Sequence, residues 1–285
     1  MTGKRKIAFQ GELGANSHEA CVTYFPDYEP TPFANFEDAF EAIKSGVCAL
    51  GMIPVENSVA GRVTDVHHLL PNSGLRIIGE RFKPIHIQLM ANRGVKLEDV
   101  KVVASMPILL GQCRRAVRRL KARTEPAGDT AGAARALAEH PDPHKAAIAP
   151  ALAAELYGLD ILLRDIEDEA HNTTRFLVMT ADPNPPAPPP GARCMTSFTF
   201  RVRNLPAALY KAMGGFATNG VNMTKLESYM ENGAFTATFF YAEVDGRPDD
   251  PALARALEEL RFFSDHVQVL GVYEADPFRA GLAKG

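Results

Sequence analysis

One stretch of the sequence reads His171-Asn-Thr-Thr-Arg-Phe-Leu-Val-Met179. Thr174 and Arg175 put a hydroxyl and a permanent positive charge side by side at the mouth of an apolar, strand-like run. The guanidinium fork of an arginine matches a carboxylate bidentately. A threonine hydroxyl donates a hydrogen bond to a departing oxygen. The pair suits an anion that has to lose a hydroxyl group. A solvated strand end would carry the same residues, so the reading depends on what else the chain offers.

Three other clusters offer chemistry. In Gly51-Met-Ile-Pro-Val-Glu-Asn-Ser58 an apolar strand presents Glu56, Asn57 and Ser58 at its carboxyl end, where open α/β sheets bind ligands. Asn57 or Ser58 would equally cap a helix starting near Ala60, whereas a carboxylate after a buried strand is either paired or functional. Ser105 follows an apolar strand and is placed to cap the next helix, with Gln112 two turns further along the same face. Gln10-Gly-Glu-Leu-Gly-Ala-Asn-Ser-His18 joins a strand to a helix, and its backbone amides with Ser17 would suit an anion or simply close the loop.

Other groups read as structural. His67, His68 and His86 have no partner at metal-ligand spacing, and Asp165, Glu167, Asp168, Glu169 and His171 read as a solvated acidic loop, so no metal is expected. Cys21, Cys48, Cys113 and Cys194 are scattered and read as reduced thiols. No glycine-rich phosphate motif opens a helix, so no nucleotide cofactor is expected.

The elements that must position these residues alternate. Strands are expected at Ile7–Phe9, Cys48–Val55, Arg76–Ile78, Lys101–Ala104, Ala146–Ala149 and Phe176–Met179. Helices are expected near 17–25, 36–45, 60–70, 106–121, 129–139 and 150–157. That alternation implies an α/β architecture with mostly parallel sheets, here long enough for two lobes around a cleft. Residues 182–193 carry six prolines in twelve residues and read as a stiff spacer between a domain at 1–181 and another at 194–285. The second domain reads β-α-β-β-α-β: a strand at Ser197–Val202, a helix at Leu205–Thr218, strands at Val221–Met230 and Ala234–Val244 around an Asn-Gly turn at 231–233, a helix capped by Asp250, and a strand at Val267–Tyr273.

The 285 residues carry a net charge of −3. The basic run from Arg114 to Lys121 falls on one solvated helix face, so no nucleic-acid partner is expected. No apolar run is long enough to span a membrane and the N-terminus lacks a signal core, so a cytoplasmic protein is expected.

In order and spacing, four segments (Phe9–His18, Gly51–Ser58, Ser105 with Gln112, and Asn172–Phe176) resemble the prephenate dehydratase family over nearly the whole chain. The resemblance implies a two-lobed, periplasmic-binding-protein-like catalytic domain followed by a ferredoxin-like ACT regulatory domain. It implies a cofactor-free lyase that converts prephenate to phenylpyruvate, water and carbon dioxide in phenylalanine biosynthesis. Thr174 would assist departure of the ring hydroxyl, Arg175 would hold a carboxylate, and Phe176 would pack the cleft wall. Glu56, Asn57, Ser105 and Gln112 would line the site, with Ser17, Ser58 and Thr173 beside the substrate. Phenylalanine would bind the second domain at Leu209, Asn219, Gly220, Val221, Asn222, Glu227 and Ser228, in a homodimer or homotetramer. There the family's Gly-Ala-Leu reads Ala207-Ala208-Leu209, and its Glu-Ser-Arg-Pro reads Glu227-Ser228-Tyr229-Met230. Arogenate dehydratase and a non-catalytic sensor are the alternatives. With the chain starting directly at the first strand, no chorismate mutase domain is expected.

Overall fold

The computed structural model describes residues 4–230 and 237–282. The chain starts with β1 (Lys6–Gln10), α1 (Asn16–Tyr24), β2 (Glu29–Phe33), α2 (Phe36–Lys44), β3 (Leu50–Asn57), the two-residue β4 (Gly61–Arg62), α3 (Thr64–Leu69) and β5 (Arg76–Pro84). It continues through β6 (Gln88–Ala91), β7 (Val102–Ser105), α4 (Pro107–Gln112), α5 (Arg114–Leu120), β8 (Arg123–Pro126), α6 (Thr130–Glu139), β9 (Lys145–Ala149), α7 (Ala151–Tyr157) and β10 (Asp160–Leu163). After β11 (Thr173–Thr180) come β12 (Cys194–Val202), α8 (Ala208–Thr218), β13 (Met223–Met230), β14 (Ala237–Asp245), α9 (Pro251–Phe263), β15 (Ser264–Glu274) and α10 (Phe278–Leu282).

The strands form three sheets. The first has the order β2-β1-β3-β11-β5, with β4 added to β3. The second has the order β10-β6-β9-β7-β8. The third, β13-β14-β12-β15, has antiparallel pairings throughout. Contacts divide the chain into two units, 1–66 with 81–176 and 67–80 with 177–285. The units therefore do not break at the proline-rich segment, because residues 67–80 and 177–181 belong with the C-terminal one.

Within the first unit, Ile7, Ala8 and Phe9 of β1 are fully buried, the continuous apolar run of a strand covered on both faces. The pattern-based expectation misses β2, which contains Pro30 and Pro32. Prolines are tolerated there because β2 is the edge of its sheet and its outer N–H groups have no ladder partner to lose. The single helix expected over 106–121 is two helices, α4 and α5, broken at Cys113. Asp168 makes the break: its carboxylate accepts from Arg114 N at 2.9 Å and Arg115 N at 3.0 Å, at the start of α5. A carboxylate at that end complements the helix dipole. The basic residues of α5 are exposed, as expected.

The loop after β1 is pinned. Gly14 has φ +93°, and a Cβ there would lie 2.9 Å from Ala153 Cα of α7, so only glycine fits both the conformation and the approach. Its N–H donates to His18 Nδ1 at 2.8 Å, and the buried His18 ring stacks on Phe9. A backbone N–H can only donate, so His18 must be neutral to accept. Burial correspondingly lowers its pKa below the usual 6.5. The unfolded chain takes up a proton near 6.5 and the native chain only at lower pH, so the contribution of His18 is complete above that value and is lost as pH falls. We expect the urea midpoint to drop between pH 7.5 and pH 5.5, and to drop less in His18→Gln. Equal losses in both proteins would remove His18 as the cause.

In the second unit α8 and α9 cover the third sheet over a core of Phe198, Phe200, Phe216, Phe240, Leu253 and Leu257. Helix α8 starts at Ala208 rather than Leu205, preceded by Ala207 at φ +61°. Asp250 does not cap α9 with its side chain; its Oδ2 accepts from Arg247 N instead. The expected turn at 231–233 lies outside the described residues. Beneath the sheet runs a buried polar network. Arg279 of α10 meets Glu80 through Nε at 2.5 Å and Nη2 at 2.9 Å, and Glu243 at 3.4 Å. Glu80 and Glu243 are almost fully buried, and Tyr241 donates to Glu243 at 2.5 Å. No helix among the described residues is long and apolar enough to cross a membrane.

Candidate active site

Strand periodicity divides the Thr-Arg-Phe run. Successive side chains of a strand point to opposite faces, so Thr174 and Phe176 share one face of β11 and Arg175 takes the other. Thr174 and Phe176 line a cavity of about 400 Å³ within the first unit. Arg175, expected to hold a substrate carboxylate, does not line it. Its side chain is 2% exposed and its Nη1 lies 2.8 Å from Glu56 Oε1, with the guanidinium 5.7 Å from the Phe82 ring centre. Glu56 is thus paired, and it too lies outside the lining.

Around Thr174 the hydrogen bonds have a fixed polarity. Asn57 Oδ1 accepts from Val59 N at 2.9 Å and Ala60 N at 2.8 Å. Those backbone groups can only donate, so the amide orientation of Asn57 is set and its Nδ2 faces the strand. Nδ2 donates to Thr174 Oγ1 at 2.9 Å and to Asn172 Oδ1 at 2.7 Å. Asn172 passes the polarity on, donating from Nδ2 to Gln112 Oε1 at 3.0 Å. Two consequences follow. Thr174 accepts from Asn57, so its own proton is directed elsewhere, on the side chain that lines the cavity. Gln112 has its oxygen engaged and presents N–H donors to the same cavity.

The lining draws on every nearby element. Gln10, Asn16 and Ser17 come from the β1–α1 loop and α1, Phe36 from α2, and Pro54 and Asn57 from β3. Met106, Ile108, Leu109 and Gln112 come from the α4 region. Thus Thr174, Phe176, Asn57, Gln112 and Ser17 line one cavity. Ser105 does not join them. It is fully buried, its Oγ donates to Ile148 O at 2.7 Å, and Met106 rather than Ser105 takes the cap position of α4. Ser58 and Thr173 fasten the ends of β3 and β11: Ser58 Oγ donates to His171 O at 2.8 Å and accepts from Thr173 N at 2.9 Å. Sequence reasoning missed Asn172, Asn16, Arg62 and Asp65. Asn172 and Asn16 lie within motifs already singled out, Arg62 and Asp65 lie just after Gly51–Ser58, and of the four Asn16, Arg62 and Asp65 are among the cavity lining.

The remaining candidates are in the second unit or carry no chemistry. Leu209 and Val221 pack on the core of that unit. Asn219, Gly220 at φ +65° and Asn222 form the turn between α8 and β13, with Asn219 bonded to Gly215 O and Asn222 to Asp245. Glu227 and Ser228 lie on β13, Glu227 beside Lys225 at 3.3 Å. His86, Asp165 and Glu167 approach within 4.8 Å, but Glu167 accepts from Ile87 N and Asp165 from Gln88 Nε2, so the acidic loop is fastened to the strand. All four cysteines are free and buried, and burial pushes the Cys113 thiol up to about 12.

Comparison with known proteins gives the chain's family. The chain is 47% identical over 279 residues to a bifunctional N-acyl-homoserine lactone acylase/prephenate dehydratase of Komagataeibacter europaeus, covering 98% of this chain and 99% of that one. It is 34% identical to arogenate dehydratase 2 of Petunia hybrida, over 95% of this chain and 72% of the relative. A crystal structure of prephenate dehydratase from Arthrobacter aurescens in complex with L-Phe superposes with a TM-score of 0.86 at 31% identity, over 95% of this chain and 90% of that one. The family model for prephenate dehydratase matches residues 7–184, the span that holds Thr174 and every residue around it, and on that match the chain belongs to the prephenate dehydratase family.

Proposed function

We propose that the protein is a prephenate dehydratase, converting prephenate to phenylpyruvate, carbon dioxide and water without a cofactor. The observation that carries this reading is the proton of Thr174. Asn57 occupies the acceptor side of Oγ1, and the hydroxyl is left to donate on a residue that lines the cavity.

In the reaction the bond from the ring to its carboxylate breaks, and that electron pair enters the ring. The carbon–oxygen bond at the opposite ring carbon breaks at the same time, and the oxygen leaves as water after taking one proton. Aromatisation supplies the drive, so the protein needs mainly to place the substrate and to stabilise the departing oxygen. Thr174 donates to that oxygen. Gln112 offers amide N–H groups to a carboxylate or carbonyl, and Phe176 with Pro54, Ile85 and Leu109 packs the ring. Acyl transfer of the kind named for the Komagataeibacter relative calls for a nucleophile beside a base. Ser17 and Thr174 supply hydroxyls to the lining, but no histidine is among the described lining residues, which favours the dehydratase reading.

The second unit supports phenylalanine control. Its β-α-β-β-α-β order fits an ACT regulatory domain spanning 194–285, through which a homodimer or homotetramer would form. Phenylalanine would bind near Asn219–Asn222. Ala207 there holds a left-handed φ of +61° that glycine adopts at less cost.

The reading is tested by following phenylpyruvate formation from prephenate with purified protein, with and without phenylalanine. Turnover that phenylalanine suppresses is expected. Turnover insensitive to phenylalanine would discard the regulatory half, and absence of turnover on prephenate would move the reading to arogenate dehydratase or to a non-catalytic sensor.

A further inference from the structure

Given the dehydratase reading, the cavity has to hold an anion, and Arg175 and Arg62 are committed elsewhere. Arg175 gives its charge to Glu56. Arg62 stands opposite that glutamate in the β3–β4 pair and has an interaction of its own. Uncharged donors remain, and they gather at the start of α1.

This nine-residue helix has no side chain capping its first turn, because its N-cap is Ala15. The N–H groups of Asn16, Ser17 and His18 have no backbone partner among the described residues. Such groups carry the positive end of the helix dipole and suit a carboxylate. An open helix start shows little by itself, since water can satisfy it. Two side chains make this one a site. Ser17 lines the cavity and is only 9% exposed, and its Oγ has no hydrogen-bond partner among the described residues. Asn16 lines the cavity too, with its Oδ1 buried and unpartnered among the described residues. Buried polar groups without partners are uncommon, so two of them on one wall mark the place of a polar ligand. Turning the Asn16 amide over offers Nδ2 in place of Oδ1.

The helix start is also fixed in advance. Gly14 N donates to His18 Nδ1 at 2.8 Å, and Tyr157 donates to Leu13 O at 2.7 Å. Donors held in place this way need no rearrangement when an anion arrives. Phe36, Pro54 and Phe176 share the lining, and apolar walls strengthen charge pairing inside.

Prephenate carries two carboxylates, and the reaction separates them. The one on the ring gives up its charge as carbon dioxide. Donors that hold it as an anion would favour the substrate over the transition state and slow the reaction. The one on the three-carbon side chain stays charged from substrate to product. Holding it lowers KM without opposing the chemistry. We infer that the N-terminus of α1, with Ser17 and Asn16, binds the side-chain carboxylate and not the one that leaves.

Phenylpyruvate keeps the side-chain carboxylate and lacks the ring one, so it distinguishes the two. The test measures kcat and KM for prephenate and the calorimetric Kd of phenylpyruvate in the wild type, Ser17→Ala and Ser17→Asp. Loss of a hydrogen bond to a charged group weakens binding about 10- to 100-fold. Ser17→Ala should raise the prephenate KM and the phenylpyruvate Kd by one common factor in that range and change kcat little. Ser17→Asp puts a carboxylate on the seat itself. A helix start favours one there, so the fold should persist, as the unfolding midpoint checks, while both ligands weaken by more than about 100-fold. Ser17→Ala, a helix-favouring change, carries the test should the aspartate disturb folding. A Ser17→Ala variant that weakens prephenate but binds phenylpyruvate within about twofold of wild type would put the ring carboxylate on the helix and overturn the inference. Both ligands within about twofold of wild type would overturn it as well. Wild-type protein that binds phenylpyruvate through Ser17 but forms none from prephenate would refute the prephenate dehydratase reading and leave the seat standing. Turnover of prephenate that Ser17→Ala lowers in kcat alone would keep the reading and overturn the seat.

Discussion

Thr174→Val should lower kcat on prephenate by about 10²- to 10⁴-fold, the range for losing a positioned proton donor. Valine keeps the branched shape that suits a strand, so the fold and the Phe176 wall should persist. The substitution removes one hydrogen-bond donor and leaves Asn57 Nδ2 with Asn172 as partner. KM should change little, because the interaction at stake strengthens only as the oxygen departs. A folded variant within tenfold of wild-type kcat would mean that another group assists the leaving oxygen.

Asn57→Asp should be nearly as damaging, and worse than Asn57→Ala. The aspartate is almost isosteric and can still accept from Val59 N and Ala60 N. Its second oxygen, however, faces Thr174 Oγ1 where an amide N–H stood. Two acceptors cannot bond, so the threonine would turn its proton to the new carboxylate and away from the cavity. We expect a loss of about 10²-fold in kcat, the scale for removing one preorganised donor. Asn57→Ala frees the hydroxyl without capturing its proton, and should lose about tenfold through poorer orientation. Because Asn57 and Thr174 act through one proton, adding Asn57→Asp to Thr174→Val should cost little more than Thr174→Val alone. Multiplying losses in the double variant would show that Asn57 acts by another route.

Much of this site was legible from residue types, because a strand end rich in hydroxyls, amides and one carboxylate is a local pattern. Thr174, Asn57 and Gln112 do come together. Adjacency in sequence is not adjacency in space. Thr174 and Arg175 are neighbours in the chain, yet the two-residue period of β11 sends them to opposite faces. Ser105 looked available because its partner, Ile148 O, belongs to a strand 43 residues away. Distance also hid the break between α4 and α5, since the carboxylate that starts α5 comes from Asp168, beyond the reach of helical periodicity. The strand β2 went unseen because proline argues against a strand until its place at the sheet edge is known.

The Glu80–Arg279 pair bears on how the protein comes into being. The two residues are 199 positions apart, and residues 67–80 join a unit otherwise made from 177–285. At a synthesis rate of 5–20 residues per second, roughly 10 to 40 s separate the two residues on the ribosome. For that interval Glu80 is a carboxylate whose buried partner does not yet exist. Its segment therefore gains that ion pair only once residue 279 has been added. A nascent chain halted near residue 270 would hold the glutamate but not Arg279, its ion-pair partner.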